Sequence, residues 1–171
     1  MEELGQREEA TDLCVALYPA VYRAIALYAG DRLLAEDLAQ ETMLRLWRER
    51  SRVSDMDRPD RWALRVAFNL AKSRWRRVRV ERRDHPRRSV AHHEAGGDLT
   101  DALAVRAAVA ALPSRQRAAV VLRYFNDLSV ADTALVLRCA EGTVKALTSQ
   151  AITNLRTSLR VEFEFPEEED S

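Results

Sequence analysis

Apolar residues recur at helical spacing along most of the chain, and the places where they stop recurring mark out its elements. From about Gln6 to Ala29, Leu13, Val15, Leu17, Val21, Ile25 and Leu27 supply more than one inward face. This predicts a buried helix, or two joined near Pro19, with Gly30 as the C-terminal cap. A second helix is expected over about Arg32–Arg50. Leu34, Ala35, Leu38, Thr42, Met43, Leu46 and Trp47 fall on its inner side, and Asp37, Gln40, Glu41, Leu44 and Arg48 on its outer side. Arg50–Asp60 has no period and reads as an exposed loop, before a helix that opens near Pro59-Asp60 with proline in the first turn. In that helix Leu64, Ala67, Phe68, Ala71 and Trp75 form the buried stripe, flanked by Ala63 and Leu70. Between about Arg83 and Asp98 the period lapses and Pro86, Gly96 and Gly97 appear, as in a mobile linker. Beyond it a helix is predicted over about Thr100–Ala111. A further helix capped by Ser114 runs to about Asn126, with Ala118, Val121, Leu122 and Phe125 inward, and Asn126-Asp127 turn the chain.

The stretch Leu128–Leu155 then reads as two helices joined by a tight turn. Ser129 is a good N-cap for the first, and Ala134 and Leu137 give it an inward face. Arg138-Cys139-Ala140 breaks the stripe, and Glu141-Gly142-Thr143 opens the second helix with a carboxylate at its positive end. Val144, Thr148, Ala151 and Leu155 carry its buried side. A small residue facing a β-branched one lets two helices cross closely, as in a helix-turn-helix whose second helix enters the DNA major groove. An ordinary helical hairpin fits this stretch as well.

Composition narrows the class. A hydrophobic content of 47% with only 5 Gly and 5 Pro favours an all-α protein with an ample core. The longest uncharged apolar run is too short for a membrane span and the acidic start is no signal peptide, so a soluble, cytoplasmic protein is expected. Cys14 and Cys139 lie in apolar helical patterns and read as buried free thiols. His85, His92 and His93 have no cysteine at ligand spacing, so no metal site is expected.

Charge changes the picture more. The formal net charge is +0, yet Lys72–Arg88 holds nine Lys and Arg against Glu81 and Asp84, while the last residues, Glu162–Ser171, are strongly acidic. Neutrality is a sum of separated parts, and the basic middle calls for a polyanion. Arg61, Arg65, Asn69, Lys72, Ser73 and Arg76 share the polar face of the basic helix, with Trp62 nearby as a stacking surface. Cations suit phosphates, and Asn and Ser suit base edges. A membrane-surface helix fits less well, because its aromatics share the core stripe with alanines. The outer face of the second helix, acidic with Leu44 set into it, reads either as a solvated surface or as a dock for a basic, partly apolar helix.

Three segments meet a known pattern in order. LAEDLAQETMLRLWR (34–48) resembles the core-binding segment of a bacterial sigma factor. RWALRVAFNLAKSRWRR (61–77) is similar to the helix that reads the promoter −10 element. The segment from Leu112 to Arg156 resembles the domain that reads the −35 element. With no large domain between them, the chain resembles the extracytoplasmic function (ECF) group, an actinobacterial sigma-E-like member being one option. The resemblance implies two small helical domains, a region 2 bundle at 1–82 and a region 4 helix-turn-helix at 99–161. A flexible linker at 83–98 joins them and an acidic tail follows at 162–171. It implies docking of Asp37, Gln40, Glu41 and Leu44 on the clamp helices of the largest polymerase subunits. It also implies −10 contacts from Arg61, Trp62, Arg65, Asn69, Lys72, Ser73 and Arg76, and capture of a flipped base by the 50–60 loop. Contacts to the −35 element fall to Thr143, Lys145, Ala146, Ser149 and Gln150. Core RNA polymerase, promoter DNA and an anti-sigma factor are the implied partners, with no cofactor, metal, catalytic residue or membrane insertion.

The chain departs from the family in the helix-turn-helix. Arg138 stands where a glycine is usual, so it must adopt a left-handed conformation or reshape the turn. Ala140 replaces a usual serine cap, and Ala146, Leu147 and Gln150 replace more polar or basic residues, leaving fewer bidentate contacts to guanine. The leading expectation is a promoter-specificity subunit. A stand-alone helix-turn-helix regulator is the alternative, and no nucleophile–base pair, metal cluster or phosphate-cradling loop suggests an enzyme.

Overall fold

The computed structural model describes residues 2–84 and 99–159, with side chains over 7–74 and 102–159. Among them are only helices: α1 (Glu2–Ala29), α2 (Arg32–Arg48), α3 (Arg50–Ser54), α4 (Pro59–Asp84), α5 (Leu99–Ala111), α6 (Ser114–Val120), α7 (Val130–Leu137) and α8 (Glu141–Leu159). The proposed linker beyond Asp84, the three histidines and the acidic tail lie outside the described residues.

α1 is one helix that carries Pro19 within it. Gly30, at φ 67°, closes α1 with its amide on the carbonyl of Ala26. Asp31 then caps α2, accepting the amide of Leu34 at 3.0 Å. Val21, Ala24, Ile25 and Tyr28 of α1 meet Ala35, Leu38, Ala39, Met43 and Leu46 of α2, and Leu64, Ala67, Phe68 and Ala71 of α4 close the bundle. The stretch Arg7–Ala29 is long and apolar enough to cross a membrane by length and composition, contrary to the sequence expectation. In the fold its inner face is the spine of this bundle.

The expected loop after α2 is largely helical. Arg50–Ser54 makes a turn and a half whose single apolar residue, Val53, is fully buried. One side chain cannot announce itself by periodicity, so only residues 55–58 are irregular.

In the second half the sequence reading needs two corrections. Ser114 is the first helical residue of α6 rather than its cap; Pro113 holds the cap position and offers no side-chain acceptor. α6 passes into a π turn over Val121–Phe125, whose wider winding rotates the side chains of its last residues. Phe125, expected inward, is therefore 45% exposed. Asn126 Nδ2 donates to the carbonyl of Val121, Asp127 takes φ 51°, and the chain turns into α7.

α7 begins as expected, with Ser129 Oγ accepting the amide of Asp132 at 3.0 Å. Arg138 does adopt the left-handed conformation, φ 53° and ψ 57°, and the amide of Cys139 reaches the carbonyl of Ala134 at 3.1 Å. Val144, Thr148, Ala151 and Leu155 of α8 are buried against α7, α6 and α5. The core is continuous across both halves, because α1 packs on α5 and α6 and α4 packs on α7.

Candidate polymerase and nucleic-acid surfaces

α2 presents its outer face to solvent. Asp37 and Gln40 are exposed and Glu41 half-buried. Leu44 is 51% exposed among them. Glu41 Oε1 accepts from Arg45 Nε at 3.0 Å, and Gln40 Nε2 donates to Glu36 at 3.5 Å. These i,i+4 contacts hold the side chains upright at little energetic gain.

Beside Leu44 the structure adds a feature that the sequence reading missed. Cys14 and Tyr18 of α1 join Gln40, Met43, Leu44 and Trp47 of α2 around an open groove of about 420 Å³. Tyr18 stacks on Tyr22 at 6.2 Å between ring centroids. The Cys14 thiol donates to the carbonyl of Met43 at 3.8 Å, and burial pushes its pKa up, which disfavours the thiolate. Both cysteines are free and half-buried. The i,i+4 pair Cys14–Tyr18 was the available signal, but pairing it with α2 needs the fold.

On α4, Asn69, Lys72 and Ser73 are exposed, and Arg65 is half-buried. The side chain of Arg76 lies outside the described residues. Trp62 does not join this face. It is 6% exposed and belongs to the core cluster, so it has no free ring for a base to stack on. Its amide on the carbonyl of Arg58 (3.4 Å) starts the helix one turn before the basic face.

The approach to α4 is held by charge. Arg58 grips Asp60 with two bonds, Nε to Oδ1 at 3.0 Å and Nη2 to Oδ2 at 2.7 Å. That guanidinium, chiefly through these bonds, holds the Asp60 carboxyl below the usual carboxylate range against the opposing effect of its partial burial. Before it, Arg50 lies over the Trp47 ring at 5.7 Å and donates to the Trp47 carbonyl at 3.3 Å.

Arg61 and Arg65 face the helix-turn-helix. Arg61 Nη1 lies 2.5 Å from Asp132 Oδ1 on α7, and Arg58 Nη1 lies 4.0 Å from Asp132 Oδ2. Arg65 lines an open cleft of about 700 Å³ with Ala131, Leu135, Arg138, Cys139 and Glu141.

α8 keeps its outer face in solvent. Lys145, Ala146, Ser149 and Gln150 are exposed and Thr143 is half-buried. Thr143 and Val144 both donate amides to the carbonyl of Ala140, whose methyl offers no cap. Gln150 Oε1 accepts from Gln116 Nε2 at 3.3 Å, and Asn154 Nδ2 donates to Gln116 Oε1 at 2.8 Å. The five sequence-predicted positions thus share one helix and one side. Among the described residues no group of His, Cys, Asp and Glu could hold a metal ion.

A family model described as sigma-70 region 2 matches residues 6–80, and one described as sigma-70 region 4 matches residues 102–155. Among curated relatives, the ECF RNA polymerase sigma factor SigL of Mycobacterium tuberculosis is 33% identical over 148 residues, covering 82% of each chain. The ECF RNA polymerase sigma factor BldN of Streptomyces coelicolor is 32% identical over 177 residues, covering 91% of this chain and 64% of its own. Among solved structures, the sigma factor RpoE of Bartonella quintana, in complex with the anti-sigma factor NepR, matches with a TM-score of 0.81. It is 25% identical, over 91% of this chain and 99% of that one.

Proposed function

The chain belongs to the ECF group of the sigma-70 family, and from that premise we propose how its residues divide the work of starting transcription. As an ECF sigma factor it binds core RNA polymerase and directs initiation at promoters, and it is a regulator of transcription rather than an enzyme. Residues 1–82 act as region 2, 83–98 as linker, 99–161 as region 4 and 162–171 as an acidic tail. The protein works in the cytoplasm, where its polymerase is.

Asp37, Gln40, Glu41 and Leu44 dock on core polymerase. What supports this is an acidic face interrupted by a half-exposed leucine that opens onto an apolar groove. Such a surface suits a helix with basic residues at its edges and an apolar one at its centre, where charge steers and the apolar contact holds. The groove adds Tyr18 and Trp47 as aromatic walls.

Arg61, Arg65, Asn69, Lys72, Ser73 and Arg76 contact the −10 element, cations on phosphates and amide or hydroxyl on bases. Trp62 supports this face from beneath. Residues 55–58 are the part of the preceding segment free to receive an unstacked base, with Arg58 close by to neutralise its phosphate. Lys145, Ser149 and Gln150, flanked by Thr143 and Ala146, read the −35 element from α8. An anti-sigma factor is a further partner. The relative that matches 91% of this chain with a TM-score of 0.81 was solved with one bound.

The observation that carries the function is the ordered pair of matches, region 2 over 6–80 and region 4 over 102–155. Run-off transcription with purified core polymerase on genomic promoter fragments tests it, and specific transcripts are expected. Tight sequence-specific binding by the free protein without any transcript would instead establish a stand-alone regulator.

A further inference from the structure

We propose that Gln116 of α6 is a positioning residue for promoter reading: together with Asn154 it orients the Gln150 amide so that its N–H donors face the −35 duplex. This rests on the assignment of Gln150 to that element. The base edge selected is then one rich in acceptors, guanine rather than adenine.

A glutamine differs from an arginine in carrying a donor at one end of its head group and an acceptor at the other. What it reads depends on which end faces outward. Both ends have nearly the same shape, so hydrogen bonds decide the direction. Here those bonds form a row with one sense. Asn154 Nδ2 donates to Gln116 Oε1 at 2.8 Å, and Gln116 Nε2 donates to Gln150 Oε1 at 3.3 Å. Gln150 and Asn154 lie one helical turn apart on α8, so a single side chain on α6 reaches both. With Oε1 engaged from within the protein, Gln150 keeps its Nε2 hydrogens for an outside partner.

The ordinary explanation is a tie between two packed helices. α6 does pack on α8, and the 2.8 Å bond from Asn154 serves that purpose alone. It does not account for the third member of the row, an exposed side chain on the proposed reading side. Gln116 is half-buried, which makes it the fixed member. Holding the amide beforehand lowers the rotamer freedom that Gln150 loses on meeting a base. In the major groove guanine presents two acceptors, N7 and O6, where adenine presents one acceptor beside the N6 donor. Outward N–H groups match the first and abut a donor in the second.

The row can be reversed without touching Gln150. A carboxylate accepts but does not donate. Gln116→Glu must accept from Gln150 Nε2, and Asn154→Asp makes Gln116 donate to residue 154 and accept from Gln150. Both changes turn the Gln150 carbonyl outward. Each variant is reconstituted with core polymerase and compared by run-off transcription at limiting holoenzyme. The templates carry one promoter with every −35 base pair replaced in turn by the other three. Ratios between templates cancel the uniform loss that an added negative charge causes. Gln150→Ala identifies the position read, by levelling the preference there. At that position the wild type is expected to favour guanine over adenine about tenfold. Gln116→Glu and Asn154→Asp are each expected to reverse this order, and either carries the test should the other misfold. Asn154→Asp with Gln116→Lys is expected to restore it, because an ammonium donates to both neighbours. An order unchanged or merely levelled in the folded single variants overturns the proposal, as does a wild-type preference for adenine. If Gln150→Ala leaves every preference intact, the assignment of Gln150 to the −35 element is what fails.

Discussion

Arg117 Nη1 donates to the carbonyl of Tyr28 at 2.9 Å, across 89 positions of sequence, while its Nη2 donates to the carbonyl of Leu112 at 3.0 Å. Tyr28 lies at the C-terminal end of α1 and Leu112 just beyond that of α5, where carbonyls have no partner within the helix. One guanidinium thus caps two helices from opposite halves of the chain and places its charge at the negative ends of both dipoles. Burial pushes its pKa down, with the neighbouring Tyr28 pulling the other way, yet an arginine remains charged. Arg117→Met is expected to lower unfolding stability by about 2–4 kcal/mol, since two buried carbonyls lose their donors. Urea denaturation followed by circular dichroism measures it; a loss within 0.5 kcal/mol, on the order of an ordinary surface change, would show that neither bond matters.

The proposed docking face on α2 separates binding from folding. Asp37→Lys with Glu41→Lys is expected to abolish co-purification with core polymerase while leaving the melting curve in place, because both side chains sit at the surface. Leu44→Ala is expected to weaken core binding about tenfold, a loss of about 1.4 kcal/mol. A pull-down titration checks both, and retention of core by the double variant would remove α2 from the interface.

Trp62 distinguishes a core residue from a stacking one. Trp62→Ala is expected to cost about 3–5 kcal/mol of stability, the range for a large aromatic deleted from a core. A scanning-calorimetry melt gives the answer. A variant that melts like the wild type but loses single-stranded DNA would return Trp62 to the binding face.

Arg138 sits at φ 53°, where a side chain is strained and glycine is not. Arg138→Gly is expected to stabilise the protein by about 1 kcal/mol. Chemical denaturation that showed a loss instead would mean that the arginine makes contacts outweighing its backbone strain.

The Asp60 carboxyl titrates below its ordinary value of about 3.9 because Arg58 donates to it. A carboxyl whose folded pKa is depressed stabilises the fold above its unfolded pKa, and that stabilisation fades as pH falls through the folded value. The stability difference between wild type and Asp60→Asn should therefore stay level from neutral pH to about 5 and shrink below about 4. Urea midpoints at several pH values test this, and a difference that grows on acidification would reverse the sign of the pair.

The elements that were legible in the sequence are those whose signals are local. Ser129, Arg138 and the Val144–Leu155 stripe lie within one or two helical turns of what they specify, so the helix-turn-helix could be read with its departures included. The α2 face was legible because a leucine among acids is conspicuous on a helical projection. What escaped depends on geometry between elements. Val53 alone anchors α3, Trp62 lies at the border of two faces that only packing separates, and the π turn shifts Phe125 off the register that a regular helix would keep. Arg117 carries no local signal, because the carbonyls it serves belong to helices that meet only in the folded chain.

Gln116 bears on how this protein could change over evolutionary time. It ties Gln150, on the exposed side of α8 proposed to read DNA, to Asn154 and so to the body of α6. Side chains in one hydrogen-bonded chain do not vary independently in their effects. If Gln150 meets a base as proposed, a lineage that adopts a different base there would have to revise residue 116 as well, on the neighbouring helix α6. Promoter preference and position 116 should then drift together among descendants of this gene.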